Sequence, residues 1–106
     1  MAIKVSDYIA EFLAAHGVQQ IFSVVGGGAM HLNDSLGHHD ALSTIYHHHE
    51  QAAAMAAECY TRLHGEMAVL CVTSGPGALN AISGVVGAYQ DSIPMIVLSG
   101  QAKSTL

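Results

Sequence analysis

The sequence predicts an α/β fold, an open parallel sheet with flanking helices built from four βα units. Two observations predict it. Segments with apolar residues at helical spacing alternate with short apolar runs rich in β-branched side chains. Those runs are apolar at successive positions, which suits strands covered on both faces and joined by right-handed crossovers.

Val5, Ile9, Phe12 and Leu13 recur at helical spacing, with Ser6 the expected N-cap and Gly17 just past the end. Residues 21–25 form the first strand, and Gly26, Gly27 and Gly28 follow it. Ala29, Leu32 and Leu36 mark a short helix that Gly37 is expected to stop. Residues 38–40 are a polar link, 42–46 a second strand, and 50–64 an alanine-rich helix ended by Gly65. Residues 67–72 make the third strand, 73–77 a turn-rich loop, and 78–90 a further helix. Gly84 and Gly87 lower the propensity of that helix, and glycines three apart suit close helix packing. Pro94 breaks the pattern before a fourth strand at 95–99. The chain stops soon afterwards, so the expectation is a single domain cut short, or one whose last strand is an exposed edge.

Composition narrows the function. Of 106 residues 51% are hydrophobic and only 10% charged, against a usual charged share of about 25%, which excludes a disordered segment. Three Lys and Arg against eight Asp and Glu give a net charge of −5, which opposes nucleic-acid binding. No apolar run of about 18 residues is present to span a bilayer and no leader opens the chain, so a cytoplasmic protein is expected. So little charge on so small a domain leaves an apolar surface that another domain or subunit is expected to cover. Cys59 and Cys71 have neither metal-site nor CxxC spacing; Cys71 reads as a small buried hydrophobe.

In an open parallel sheet, ligands bind where loops leave the carboxyl ends of the strands. Four loops qualify: Gly26-Gly27-Gly28, His47-His48-His49-Glu50, residues 73–77, and Ser99-Gly100-Gln101. The glycine triplet matches neither GxGxxG nor a P-loop, and a strand-to-helix turn needs glycine for its own geometry. Glu50 opens a helix with no Lys or Arg beside it in sequence. The helix dipole favours its anion while burial opposes it. It is either a proton-sharing carboxyl or a solvated first-turn acid. On an extended strand His47 and His49 share one face, but no third metal ligand is in reach, so no metal site is assigned. Ser74 and Ser99 lack a nucleophile elbow.

Four motifs in order carry a resemblance: V-x-G-G-G-A-M, then H-H-E-Q-A-A-A-M-A-A-E-C-Y-T-R, then T-S-G-P-G-A-L-N, then D-S-I-P-M-I-V-L-S-G-Q. Over residues 5–101 the chain resembles the N-terminal, pyrimidine-binding (PYR) domain of thiamine diphosphate enzymes of the acetolactate synthase and pyruvate decarboxylase group. The acetolactate synthase branch is the nearer. The resemblance implies that Glu50 hydrogen-bonds N1′ of the cofactor's aminopyrimidine and so activates it for attack on a small 2-keto acid. It implies that Gly26 and Gly27 lie beside the cofactor, that Thr73, Gly75, Pro76 and Asn80 line the pyrimidine pocket, and that Gln101 lies on the substrate side. Two positions depart from the family pattern: Val25 replaces a proline, and Leu79 replaces the threonine of G-A-T-N.

The resemblance further implies that residues 1–106 are part of a pyrimidine-binding domain. Diphosphate and magnesium would be held by a separate domain absent here, through a GDG motif this sequence lacks. A homodimer or homotetramer is implied, and FAD accompanies the cofactor in some full-length relatives. The 106 residues alone would hold the activating acid without the anchor and turn nothing over. The alternatives are a non-catalytic interaction or regulatory domain that pairs with a larger homologue, and a small nucleotide- or flavin-binding module.

Overall fold

The computed structural model describes residues 2–105; Met1 and Leu106, the outermost residues of the expected domain, lie outside them. Helix α1 spans Val5–Ala15, strand β1 Gln20–Ser23, and a 3₁₀ turn Gly27–Ala29 leads into α2, Met30–His38. Strand β2, Ser43–Tyr46, is followed by α3, Glu50–His64. Strand β3 is Ala68–Val72, α4 Pro76–Gln90 and β4 Met95–Ser99. All neighbouring strands are parallel, in the order β2-β1-β3-β4. The carboxyl ends of all four strands therefore lie along one edge of the sheet.

Period-two alternation along β3 divides the core in two. Val69 and Cys71 face α1 and α2 and pack with Ala10, Leu13, Ile21 and Leu36. Ala68, Leu70 and Val72 face α3 and α4 and pack with Ala53, Ala54, Ala57 and Ala81. Every residue of β3 is buried, as its apolar run predicts. The edge strands differ from the expectation of two covered faces. Three residues of β2 are exposed, and β4 is nowhere fully buried.

Alanine and glycine let α3 and α4 approach closely. A methyl group on Gly84 would lie 3.2 Å from the backbone nitrogen of Met55 and collide with Ala54. Of the two glycines expected to serve packing, Gly84 does so; a methyl on Gly87 would meet only Glu58 Oε1, at an ordinary 3.5 Å. Gly65, at φ 69°, ends α3 in the left-handed conformation that a side chain disfavours.

Several boundaries move. Lys4, not Ser6, occupies the N-cap of α1, and Ser6 is buried as the second residue of the helix, accepting from Ser35 Oγ at 2.8 Å. Gly37 does not stop α2, which continues to His38. The first strand ends at Ser23 rather than residue 25, because the chain turns out of the sheet towards the glycines. Helix α4 begins at Pro76, whose fixed φ and missing N–H suit a first helical position. Among the described residues no helix is long and apolar enough to cross a membrane.

Both cysteines are free thiols. Burial pushes the Cys71 thiol up to about 11, while a hydrogen bond with Ser23 opposes the shift weakly. Cys59 is exposed. In the folded protein at pH 8, maleimide is expected to label Cys59 alone, and Cys71 should react only after unfolding; mass spectrometry counts the adducts. The raised value also sets a sign. The unfolded thiol ionises from about 9 and the folded one near 11, so its contribution to stability is complete below pH 9 and is lost as pH rises through 11.

Candidate functional site

The carboxyl edge of the sheet brings two of the four loops, the glycine triplet and residues 73–77, into contact around Thr73, which follows β3. A methyl on Gly26 would fall 2.5 Å from Thr73 Cβ, one on Gly28 2.9 Å from Thr73 Oγ1, and one on Gly77 2.6 Å from Thr73 Cγ2. The glycines are needed here because Thr73 already occupies the space their side chains would take. Gly75 precedes α4 at φ 64° and ψ −126°, a conformation open to glycine, and Pro76 then starts the helix.

Glu50 is the first residue of α3 and is only 8% exposed. Asn80, at the start of the second turn of α4, donates from Nδ2 to Glu50 Oε2 at 3.4 Å. Among the described residues no other side chain bonds this carboxylate and no cation pairs with it. Among the described residues Oε1 has no protein donor, and it is not one of the fully buried unpaired atoms, so it stays within reach of solvent or a ligand. Burial with so little compensation suits a carboxyl whose partner is a ligand group able to share a proton. That carboxylate suits the nitrogen of an aminopyrimidine, and among the described residues no second and third ligand join it to hold a metal ion. Of the two readings open in the sequence, the solvated first-turn acid does not hold.

The histidine run is not strand. Strand β2 ends at Tyr46, so His47 and His49 do not share a strand face. His47 instead lies against the Phe22 ring at 5.8 Å between centroids. His49 is the N-cap of α3, its Nδ1 accepting from the Gln51 N–H at 3.0 Å. It satisfies one of the free N–H groups of the helix that begins with Glu50. Among the described residues no group of three potential ligands could hold a metal.

Gln101 is joined to the other loops through backbone. Its N–H donates to the Gly28 carbonyl at 3.3 Å, and the Gly100 N–H donates to Val72 O at 2.9 Å. Its side chain bends back to accept from the Ala102 N–H at 2.9 Å. It lines an open groove of about 550 Å³ with Lys4, Ser6, His31, Leu32 and Ser99, on the α1–α2 side of the sheet. Gly26 and Gly27 line a different cleft, of about 360 Å³, with Val25, Met30 and Asn33. The expected residues thus fall into a Glu50–Asn80 pair, a Thr73–glycine junction, and a separate groove at Gln101.

One polar cluster beneath the glycine cleft escapes the pattern reading. Ser23 Oγ lies 3.2 Å from Asn33 Oδ1 and 3.0 Å from the Cys71 carbonyl, and Cys71 Sγ lies 3.7 Å from the same Oδ1. The only hint in the sequence was a polar Asn33 between Leu32 and Leu36 on a short helix.

Comparison with known proteins agrees with this fold. Residues 3–106 match the family described as "Thiamine pyrophosphate enzyme, N-terminal TPP binding domain". The chain is 44% identical over 101 residues to the acetolactate synthase large subunit of Buchnera aphidicola subsp. Acyrthosiphon pisum, covering 95% of the chain and 18% of that protein. It is 42% identical over 101 residues to acetolactate synthase isozyme 3 large subunit of Escherichia coli (strain K12), with the same coverage. With the chloroplastic acetolactate synthase of Arabidopsis thaliana it shares 36% over 98 residues, 92% of the chain and 15% of that protein. The chain therefore spans less than a fifth of the length of these relatives. A parallel α/β sheet and a match over residues 3–106 agree: the chain belongs to the thiamine pyrophosphate enzyme N-terminal TPP-binding domain family.

Proposed function

We propose that this domain is the pyrimidine-binding portion of a thiamine diphosphate-dependent 2-keto acid decarboxylase or acetolactate synthase-like carboligase, with Glu50 as its cofactor-activating acid. One observation carries the reading. Glu50 is buried at the mouth of the site, holds one weak bond from Asn80, and keeps Oε1 free of protein partners. A carboxyl held by a permanent ion pair would stay ionised, whereas this one can exchange a proton with a ring nitrogen such as N1′. Asn80 fixes the carboxylate plane from the neighbouring helix. Thr73, Gly75 and Pro76 set the wall of the pocket, Gly26 and Gly27 admit a ring edge close to backbone, and Gln101 serves the substrate side. When bound, thiamine diphosphate supplies the nucleophilic carbon that adds to the keto group and stores the electrons released with carbon dioxide.

On this reading residues 1–106 are one half of a shared site. The diphosphate and its magnesium ion belong to a separate domain of the same or another subunit in a homo-oligomer. The outer face of α4 favours that partner. Leu79, Ile82, Val86 and Tyr89 recur at spacings of three and four and are 45–83% exposed, an apolar stripe of the kind that seats another helix. The same stripe would serve a non-catalytic partner domain equally well, and one measurement separates the two. The protein is combined with its diphosphate-binding part, and hydrogen–deuterium exchange at C2 of thiamine diphosphate is followed by NMR. Accelerated exchange is expected; exchange at the rate of free cofactor leaves only the interaction role.

A further inference from the structure

The polar cluster under the glycine cleft orients an amide. Asn33 has one acceptor oxygen and one NH₂ group, and the two face opposite ways. The Cys71 thiol is kept protonated by burial, and its side-chain hydrogen-bond acceptor is Asn33 Oδ1, at 3.7 Å. The Ser23 hydroxyl approaches the same oxygen at 3.2 Å from the adjacent strand. Turning the amide over would leave the thiol proton without a side-chain acceptor, whereas the single proton of Ser23 has the Cys71 carbonyl, at 3.0 Å, as an alternative. So Oδ1 points inward, and Nδ2 has no protein acceptor among the described residues. Asn33 also lines the cleft of about 360 Å³ with Gly26 and Gly27, whose other walls, Val25 and Met30, are apolar. The cleft thus presents a fixed N–H donor among alkyl groups and backbone.

We propose that Asn33 is a substrate-binding residue, donating from Nδ2 to a carbonyl or carboxylate oxygen of the 2-keto acid while Val25 and Met30 contact its alkyl part. This rests on the function proposed above, and it extends the substrate side from the Gln101 groove, across the adjoining Gly27 and Gly28, into the neighbouring cleft. The chemistry matches group for group. A small 2-keto acid carries oxygen acceptors at one end and an apolar chain at the other, and the cleft offers one donor and two alkyl side chains. The donor is held by two strands through Ser23 and Cys71, so it is ordered before any ligand arrives.

Asn33→Asp tests this with the fold preserved. The inward carboxylate oxygen still accepts from Ser23 and Cys71, and only the outward N–H donor becomes an acceptor. The assembled, cofactor-loaded enzyme carries this change in a Glu50→Gln background that slows turnover, and pyruvate binding is measured by NMR titration before appreciable turnover. Pyruvate affinity is expected to fall by about tenfold to a hundredfold, the effect of losing a bond to a charged acceptor and meeting a like charge. Thiamine diphosphate affinity should stay unchanged, and Asn33→Gln should recover part of the loss. Unchanged pyruvate affinity in Asn33→Asp overturns the proposal, as does a loss confined to thiamine diphosphate. Failure of the underlying reading looks different: pyruvate is consumed in the Glu50→Gln background at the wild-type rate, or wild-type enzyme binds no thiamine diphosphate.

Discussion

Glu50→Gln is expected to reduce 2-keto acid turnover by the assembled enzyme by a factor of about 10² to 10⁴, the usual worth of a positioned acid–base group. Glutamine keeps the shape, the burial and an oxygen for the Asn80 amide, so the fold should be untouched. What it cannot do is exchange a proton. Cofactor affinity should change little, since an amide can still meet a ring nitrogen, and C2 exchange should drop alongside turnover. If activity survives with C2 exchange intact, the activating acid is another group. If binding is lost together with activity, the role of Glu50 is in holding the ring rather than in moving a proton.

Gly84→Val is expected to give the largest stability effect of any surface-distant substitution on α4. Gly84 lies one helical turn beyond Asn80, and Ala54 one turn beyond Glu50, so the closest approach of α3 and α4 sits directly behind the site. Valine side-chain atoms would enter space that Ala54 and the Met55 backbone already fill, and the helices must separate. Overpacking of this kind costs about 1–3 kcal/mol. For a domain of this size that lowers Tm by roughly 5–20 °C in a circular dichroism melt. The same separation pulls Asn80 from Glu50, so any assembled enzyme that remains folded should lose activity as well. A variant with unchanged Tm would mean that α4 can slide on α3, and that the pair does not fix the spacing of the site.

The layout was legible because buried strands write long apolar runs and helices write caps and glycine stops. Helix α3 and strand β4 could be bounded to the residue. Misreadings came where a local signal met a tertiary demand. Ser6 has the chemistry of a cap, yet a partner in Ser35 makes it more useful buried. Gly37 does not end a helix; a methyl there would meet only the phenol oxygen of Tyr46, at 2.9 Å. His47 and His49 fit a strand by period, but β2 is an edge and stops first, and His49 is drawn into capping α3. Glu50 could be singled out because an acid without a neighbouring cation is visible in sequence. The Ser23–Asn33–Cys71 cluster could not, since its members lie up to 48 positions apart and meet only when β1 and β3 pair.

The bonds from Gly100 and Gln101 to Val72 and Gly28 also say something about how this domain comes into being. They tie the last loop of the chain to the first across the strand between them. Contacts of such sequence separation form late and slowly, after the entropy of closing long loops has been overcome. The ligand edge therefore has no local precursor. It is absent while any strand is out of register and present once all four are in. A nascent or partly folded chain would carry every residue of the site and none of its geometry, and acquisition of the site would coincide with the final cooperative step of folding.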